Sequence, residues 1–133
     1  MIYKLLRCLN YGAAIWYIID GVLLIFPFPG VLPFLNPQPS VDLGLFRLTG
    51  ILLVFIGIGY AWTSLNAAAT TWYMWIMGVI FNGMVFLVET YTVLFRNVAC
   101  FYVIQGLASG LFCWAFLSLL TVLHYSRKIE TIV

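Results

Sequence analysis

Apolar residues in this chain fall into long, nearly charge-free runs. Crossing about 30 Å of hydrocarbon takes about 20 helical residues, and four runs meet that requirement: 5–26, with Arg7 and Asp20 inside it, 43–63, 72–94 and 98–123. No charged residue occurs between Leu48 and Val88. That stretch fits two spans joined by the polar turn Ser64 to Thr71 better than one very long helix. The pattern predicts an all-α fold, an integral membrane four-helix bundle, with residues 1–133 as a single transmembrane domain.

The prolines sharpen the boundaries. All five, Pro27, Pro29, Pro33, Pro37 and Pro39, lie between the first two spans, where a ring that locks φ and removes an N–H stops a helix. The resulting outer linker, 27–40, is unusually apolar for a loop. It suits packing in the membrane interface or against another protein, with a functional lid as the sharper alternative. Lys4, Arg7, Arg127 and Lys128 stand at the two ends of the chain. An even number of spans puts both ends on one side, and the positive-inside bias makes that side cytoplasmic. Tyr60, Trp62, Trp72, Tyr73 and Trp75 fit an aromatic belt on that side, and Tyr91 and Tyr102 one on the other. Lys4 and Arg7 ahead of an apolar run mimic a signal peptide, but no small-residue cleavage site follows, so the run is expected to stay as an anchor helix. A bacterial inner membrane, or the inner membrane of an organelle, is the expected location.

Composition agrees with lipid as the solvent: 65% of the 133 residues are hydrophobic and 8% are charged, far from soluble proportions. The net charge of +2 is small and scattered, which excludes nucleic acid as a partner. Cys8, Cys100 and Cys113 have no metal or redox spacing and are expected to pack rather than pair. No zinc, iron–sulfur or phosphate-loop pattern is present, and no serine has a histidine at matching depth, so no catalytic set is predicted.

What chemistry there is sits in the outer half of the crossing. At 1.5 Å per residue, Asp20 lies roughly 5 to 7 Å outside the midplane, and Arg47 and Glu89 roughly 7 to 9 Å. A charge in hydrocarbon costs at least ~2.5 kcal/mol, so these three are expected to face one another, with Asp42 and Arg96 at the outer mouth of the cluster. The group reads either as a polar clasp that fixes helix register or as a site for a proton, a quinone or a small ligand. Asn82, near the middle of the third span, is expected to bond between helices. The lone His124 excludes bis-histidine haem within one chain. It could serve as one axial ligand to a chlorin or haem, although a histidine at a helix end is ordinarily a solvated interfacial residue. No cofactor is predicted, lipid or quinone being the ligands the composition allows. Gly50, Gly57, Gly106 and Gly110, the last two forming a G-x-x-x-G, are predicted to let helices approach closely, inside the bundle or toward a second subunit.

The run Phe46-Arg47-Leu48-Thr49-Gly50, the run Gly57-Ile58-Gly59-Tyr60 and the following helix from Trp72 to Glu89 resemble the small bacterial four-helix membrane proteins related to the DoxX group. There an arginine and glycine open the second helix and a Gly-Tyr pair closes it. The likeness covers about 45 residues and departs at Asn66 to Thr71, which lacks a proline and basic residues, and at Asn82, where a lysine would be expected. It implies a compact bundle, in some members linked to quinone-dependent oxidoreductases, and carries no catalytic residue to this chain. With no extramembrane domain and no catalytic set, the function expected is that of a non-catalytic accessory subunit of a larger membrane complex, for instance respiratory or photosynthetic, embedded among lipids and other subunits. The alternatives are a small-solute or proton carrier using Asp20, Arg47 and Glu89, or a pigment- or haem-binding subunit.

Overall fold

The computed structural model describes residues 1–26, 43–66, 68, 70–95 and 100–130. They form four long helices: α1 (Ile2–Ile25), α2 (Leu43–Leu65), α3 (Thr71–Phe95) and α4 (Cys100–Glu130). Each is long and apolar enough to cross a membrane, which points to an integral membrane protein. The outer linker 27–40, Asp42 and Arg96 lie outside the described residues.

The bundle is built from two pairs, α1 on α2 and α3 on α4, joined chiefly by contacts of α4 with α1. In lipid no hydrophobic effect drives helices together, so close backbone approach through small residues supplies the packing. The α1–α2 crossing is of this kind. A Cβ on Gly21 would stand 2.5 Å from the carbonyl oxygen of Gly50, and one on Gly50 2.6 Å from that of Gly21. Further along the crossing, a Cβ on Gly57 would stand 2.9 Å from the Ala14 carbonyl oxygen. In the second pair, Gly106 meets the Glu89 side chain and Gly110 the Phe86 ring, so the G-x-x-x-G of α4 faces α3 of its own chain.

The start of α1 and the last turns of α4 lie at the same end of the bundle. Arg127 of α4 donates a hydrogen bond to the Tyr3 hydroxyl of α1, and its guanidinium lies 5.7 Å from the centre of that ring. Nearby, Arg7 Nε donates to the Ser64 carbonyl at 2.8 Å, with a longer contact from Nη2 to Leu65 O at 3.5 Å. A cation thus caps the carbonyls left open at the end of α2, where the helix dipole is negative.

α4 outlasts the apolar run that marks it, continuing past His124 through Arg127 and Lys128 to Glu130. His124 is therefore an exposed residue within the helix, edge-on to the Tyr125 ring, and not at its end. Hydroxyls along the exposed faces hide in their own helix: Thr121 Oγ1 donates to Leu117 O at 2.6 Å, and Ser118, Ser126, Thr90 and Thr92 turn back on carbonyls four residues earlier in the same way. Such back-bonding lets a polar residue face hydrocarbon with its donor satisfied.

Candidate functional site

The centre of the bundle is organised by Asn82. Its Oδ1 accepts a hydrogen bond from the Tyr17 hydroxyl of α1. Its Nδ2 donates to the Tyr60 hydroxyl of α2 at 2.9 Å and to two carbonyls of its own helix, Met77 O at 2.8 Å and Gly78 O at 3.2 Å. One amide, with no exposed surface, therefore holds three helices together.

The two carbonyls are available because α3 is not α-helical throughout. Met74–Phe81 is π-helical, and a widened turn leaves carbonyls out of the i to i−4 ladder at its edges. The Asn82 amide takes Met77 O and Gly78 O, and the Cys113 thiol of α4 donates at 3.4 Å to Val79 O, which also accepts the Asn82 backbone N–H. Gly78 also lets the Phe116 ring of α4 lie against the α3 backbone, within 2.6 Å of where a Cβ would sit.

Aromatic rings fill the space around the amide. Tyr17 and Tyr60 stack with centroids 5.7 Å apart and planes 2° from parallel. Phe116 stacks on Tyr60 itself at 5.7 Å, and Tyr73 meets Tyr60 edge-on at 5.8 Å. Tyr60 has no exposed surface. It belongs to this core and not to the interfacial belt predicted for it, because its hydroxyl finds a partner inside, in Asn82. Trp62 and Trp72, predicted beside it, are exposed as a belt requires.

One layer outward, Asp20 is almost fully buried and its Oδ2 accepts from Gln105 Nε2 of α4 at 2.9 Å. Glu89, half-buried on α3, lies within coulombic reach of Asp20 and packs on Gly106, the neighbour of Gln105. The structure thus brings two of the three residues of the predicted cluster into one layer, with a neutral amide between α1 and α4. Arg47 is exposed, and among the described residues it makes no hydrogen bond or ion pair with either carboxylate. The outer-mouth residues Asp42 and Arg96 lie outside the described residues.

Among the described residues, four buried polar atoms have no hydrogen-bond partner: both of Asn10, the Trp16 indole nitrogen and the Ser109 hydroxyl. Ser109 lies beside the Tyr17 hydroxyl. Asn10 lies two helical turns from Tyr17 on the same buried face of α1. Sequence reasoning missed Asn10, Tyr17, Gln105 and Ser109. The signal was present in spacing: Asn10, Tyr17 and Asp20 recur on the stripe that also holds Leu6, Ala13, Ala14 and Leu24, and Gln105 and Ser109 are one turn apart on α4.

The described residues hold no group of three or more histidine, cysteine and acidic side chains that could bind a metal. Fold and site together define a four-helix bundle of membrane-spanning character whose central polar groups bond mainly to one another. No protein-family model, curated protein or solved structure matches the chain.

Proposed function

We propose that this chain is a non-catalytic, membrane-embedded accessory subunit that docks on a larger membrane assembly through α3, with both termini on the cytoplasmic side. The observation that carries the reading is the uneven cover of the four helices. Within its most apolar stretch α3 has 11% of its residues buried, against 39% for α1, 33% for α2 and 28% for α4. The exposed side of α3 carries Ile76, Ile80, Met84, Leu87 and Tyr91, large side chains suited to packing against a neighbouring helix. Its buried side is consumed by Asn82, whose single acceptor and two donor hydrogens are already shared among four partners. That commits both donor hydrogens of the central amide inside the bundle, which fits a structural role. Purification under mild detergent tests the reading: the expected result is co-elution with one or more membrane proteins in fixed ratio, and a monodisperse monomer with lipid alone would count against it.

A second reading, that of a proton or small-solute carrier, is favoured by one feature. Buried polar atoms that lack partners, as both of Asn10 do, cost about 1–3 kcal/mol each unless water or a solute reaches them. Together with Asp20 they mark polar positions over about 15 Å of α1 and its surroundings. Proton uptake by liposomes containing the pure protein, abolished by Asp20→Asn, would replace the first reading with this one.

A further inference from the structure

At the end of the bundle where α1 starts and α4 ends, a cavity of about 290 Å³ opens between the start of α1 and the end of α2, lined by Tyr3, Lys4, Arg7, Leu65, Asn66 and Ala68. Its chemistry is lopsided: two cations and an amide stand in it, and among the described residues no acidic side chain lines it. Lys4 is exposed and makes no ion pair among the described residues. Arg7 directs Nε and, more weakly, Nη2 to the end of α2, which fixes the guanidinium in place and leaves other N–H groups of its five for something else. A cation held rigidly by one face is preorganised on the other, so an anion that binds there does not have to order it.

We propose that this cavity is a binding site for a phosphate-bearing anion. Arg7 from α1 and Asn66 from the turn after α2 meet its oxygens, and Lys4 closes over it. The wall formed by Leu65, Ala68 and the Tyr3 ring is apolar, which matches a phosphate attached to a glycerol and acyl chains better than a free ion. Trp62 and Trp72, both exposed, flank the α2–α3 turn at this end, the level at which aromatic belts meet headgroups. Basic pockets between membrane helices on the cytoplasmic side hold anionic headgroups by the same arrangement.

The full-length chain is placed in nanodiscs of phosphatidylcholine with a minor share of phosphatidylglycerol, and the lipids retained on release are counted by native mass spectrometry. One phosphatidylglycerol is expected to be retained in preference to phosphatidylcholine. Lys4→Gln should lower that preference about fivefold, the worth of one basic side chain near a membrane surface. Lys128→Gln removes the same charge from the same end of the bundle without touching the cavity, and should leave the preference unchanged. Equal losses in the two variants, or no preference in the wild type, would overturn the proposal, since either means diffuse surface charge and not a site. Competition by inorganic phosphate in detergent separates the two sources of the anion: displacement at millimolar phosphate assigns the site to free phosphate, and resistance assigns it to the lipid.

Discussion

Asn82→Leu is expected to destabilise the bundle by about 2–4 kcal/mol and to loosen the contact between its two helix pairs. The sum has identifiable parts. Two interhelical hydrogen bonds are lost, from Tyr17 and to Tyr60, at ~0.6 to 1.7 kcal/mol each in membrane proteins. The Met77 and Gly78 carbonyls lose the amide that collects them, and two buried hydroxyls remain in place of a satisfied network, which is the costly half of breaking a hydrogen bond. Thermal unfolding in lipid nanodiscs, followed by tryptophan fluorescence, measures the loss. The companion variant Tyr17→Phe, Tyr60→Phe, Asn82→Leu removes the orphaned hydroxyls as well and keeps the ring stacking of Tyr17, Tyr60 and Phe116. It should recover much of the stability, because replacing both partners of a buried pair by apolar groups of similar shape is close to neutral. An Asn82→Leu protein as stable as the wild type would show that the amide does not hold the helices.

The second large effect lies at the α1–α2 crossing. Gly21→Val is expected to prevent native pairing of the two helices, because the first added carbon meets backbone on the facing helix: Gly50 O at 2.5 Å and Val54 N at 2.9 Å. A flexible side chain could swing aside, but a helix backbone can yield only by moving the whole helix. Overpacking of this kind typically costs about 1–3 kcal/mol and sometimes more, and here the crossing spreads over Gly50 and Gly57 as well. Gly12→Ala is the matched control. A Cβ there finds only the Phe112 ring at 4.0 Å, an ordinary van der Waals contact, and its higher helix propensity makes it neutral or slightly stabilising. Cysteines placed near the crossing on α1 and α2 of each variant, crosslinked in membranes, report the pairing: efficient in the wild type and Gly12→Ala, lost in Gly21→Val. Retained crosslinking in Gly21→Val would mean that the crossing is not the tight contact described.

The gross architecture was legible in the chain because hydrocarbon imposes it. Only runs of about 20 apolar residues satisfy both length and backbone hydrogen bonding in lipid, so the four helices follow from counting. Gly50, Gly57, Gly106 and Gly110 were legible as small-residue contacts, but the partner of Gly50 was not, since Gly21 became visible as its counterpart only when the two carbonyls faced each other. The polar interior was harder. Depth along the axis put Asp20 and Glu89 in one layer, whereas rotation about the axis, which depth does not encode, left Arg47 exposed and brought the neutral Gln105 to Asp20. Tyr60 sits near the end of its apolar run, where tyrosine usually marks the interface, and only the Asn82 amide on another helix explains its turning inward. The π-helical stretch Met74–Phe81 has no composition of its own, and it goes with the fit of Phe116 against Gly78 and with side chains that donate to its carbonyls.

In the proposed function, α3 is the face that meets another protein. Photo-crosslinking amino acids placed in living cells at Leu87 on α3 and at Phe55 on α2, which are 66% and 68% exposed, test this with matched exposure and different helices. A discrete protein adduct from position 87, with lipid alone from position 55, is the predicted result; lipid adducts alone from both positions, in cells where the protein is correctly inserted, would contradict it.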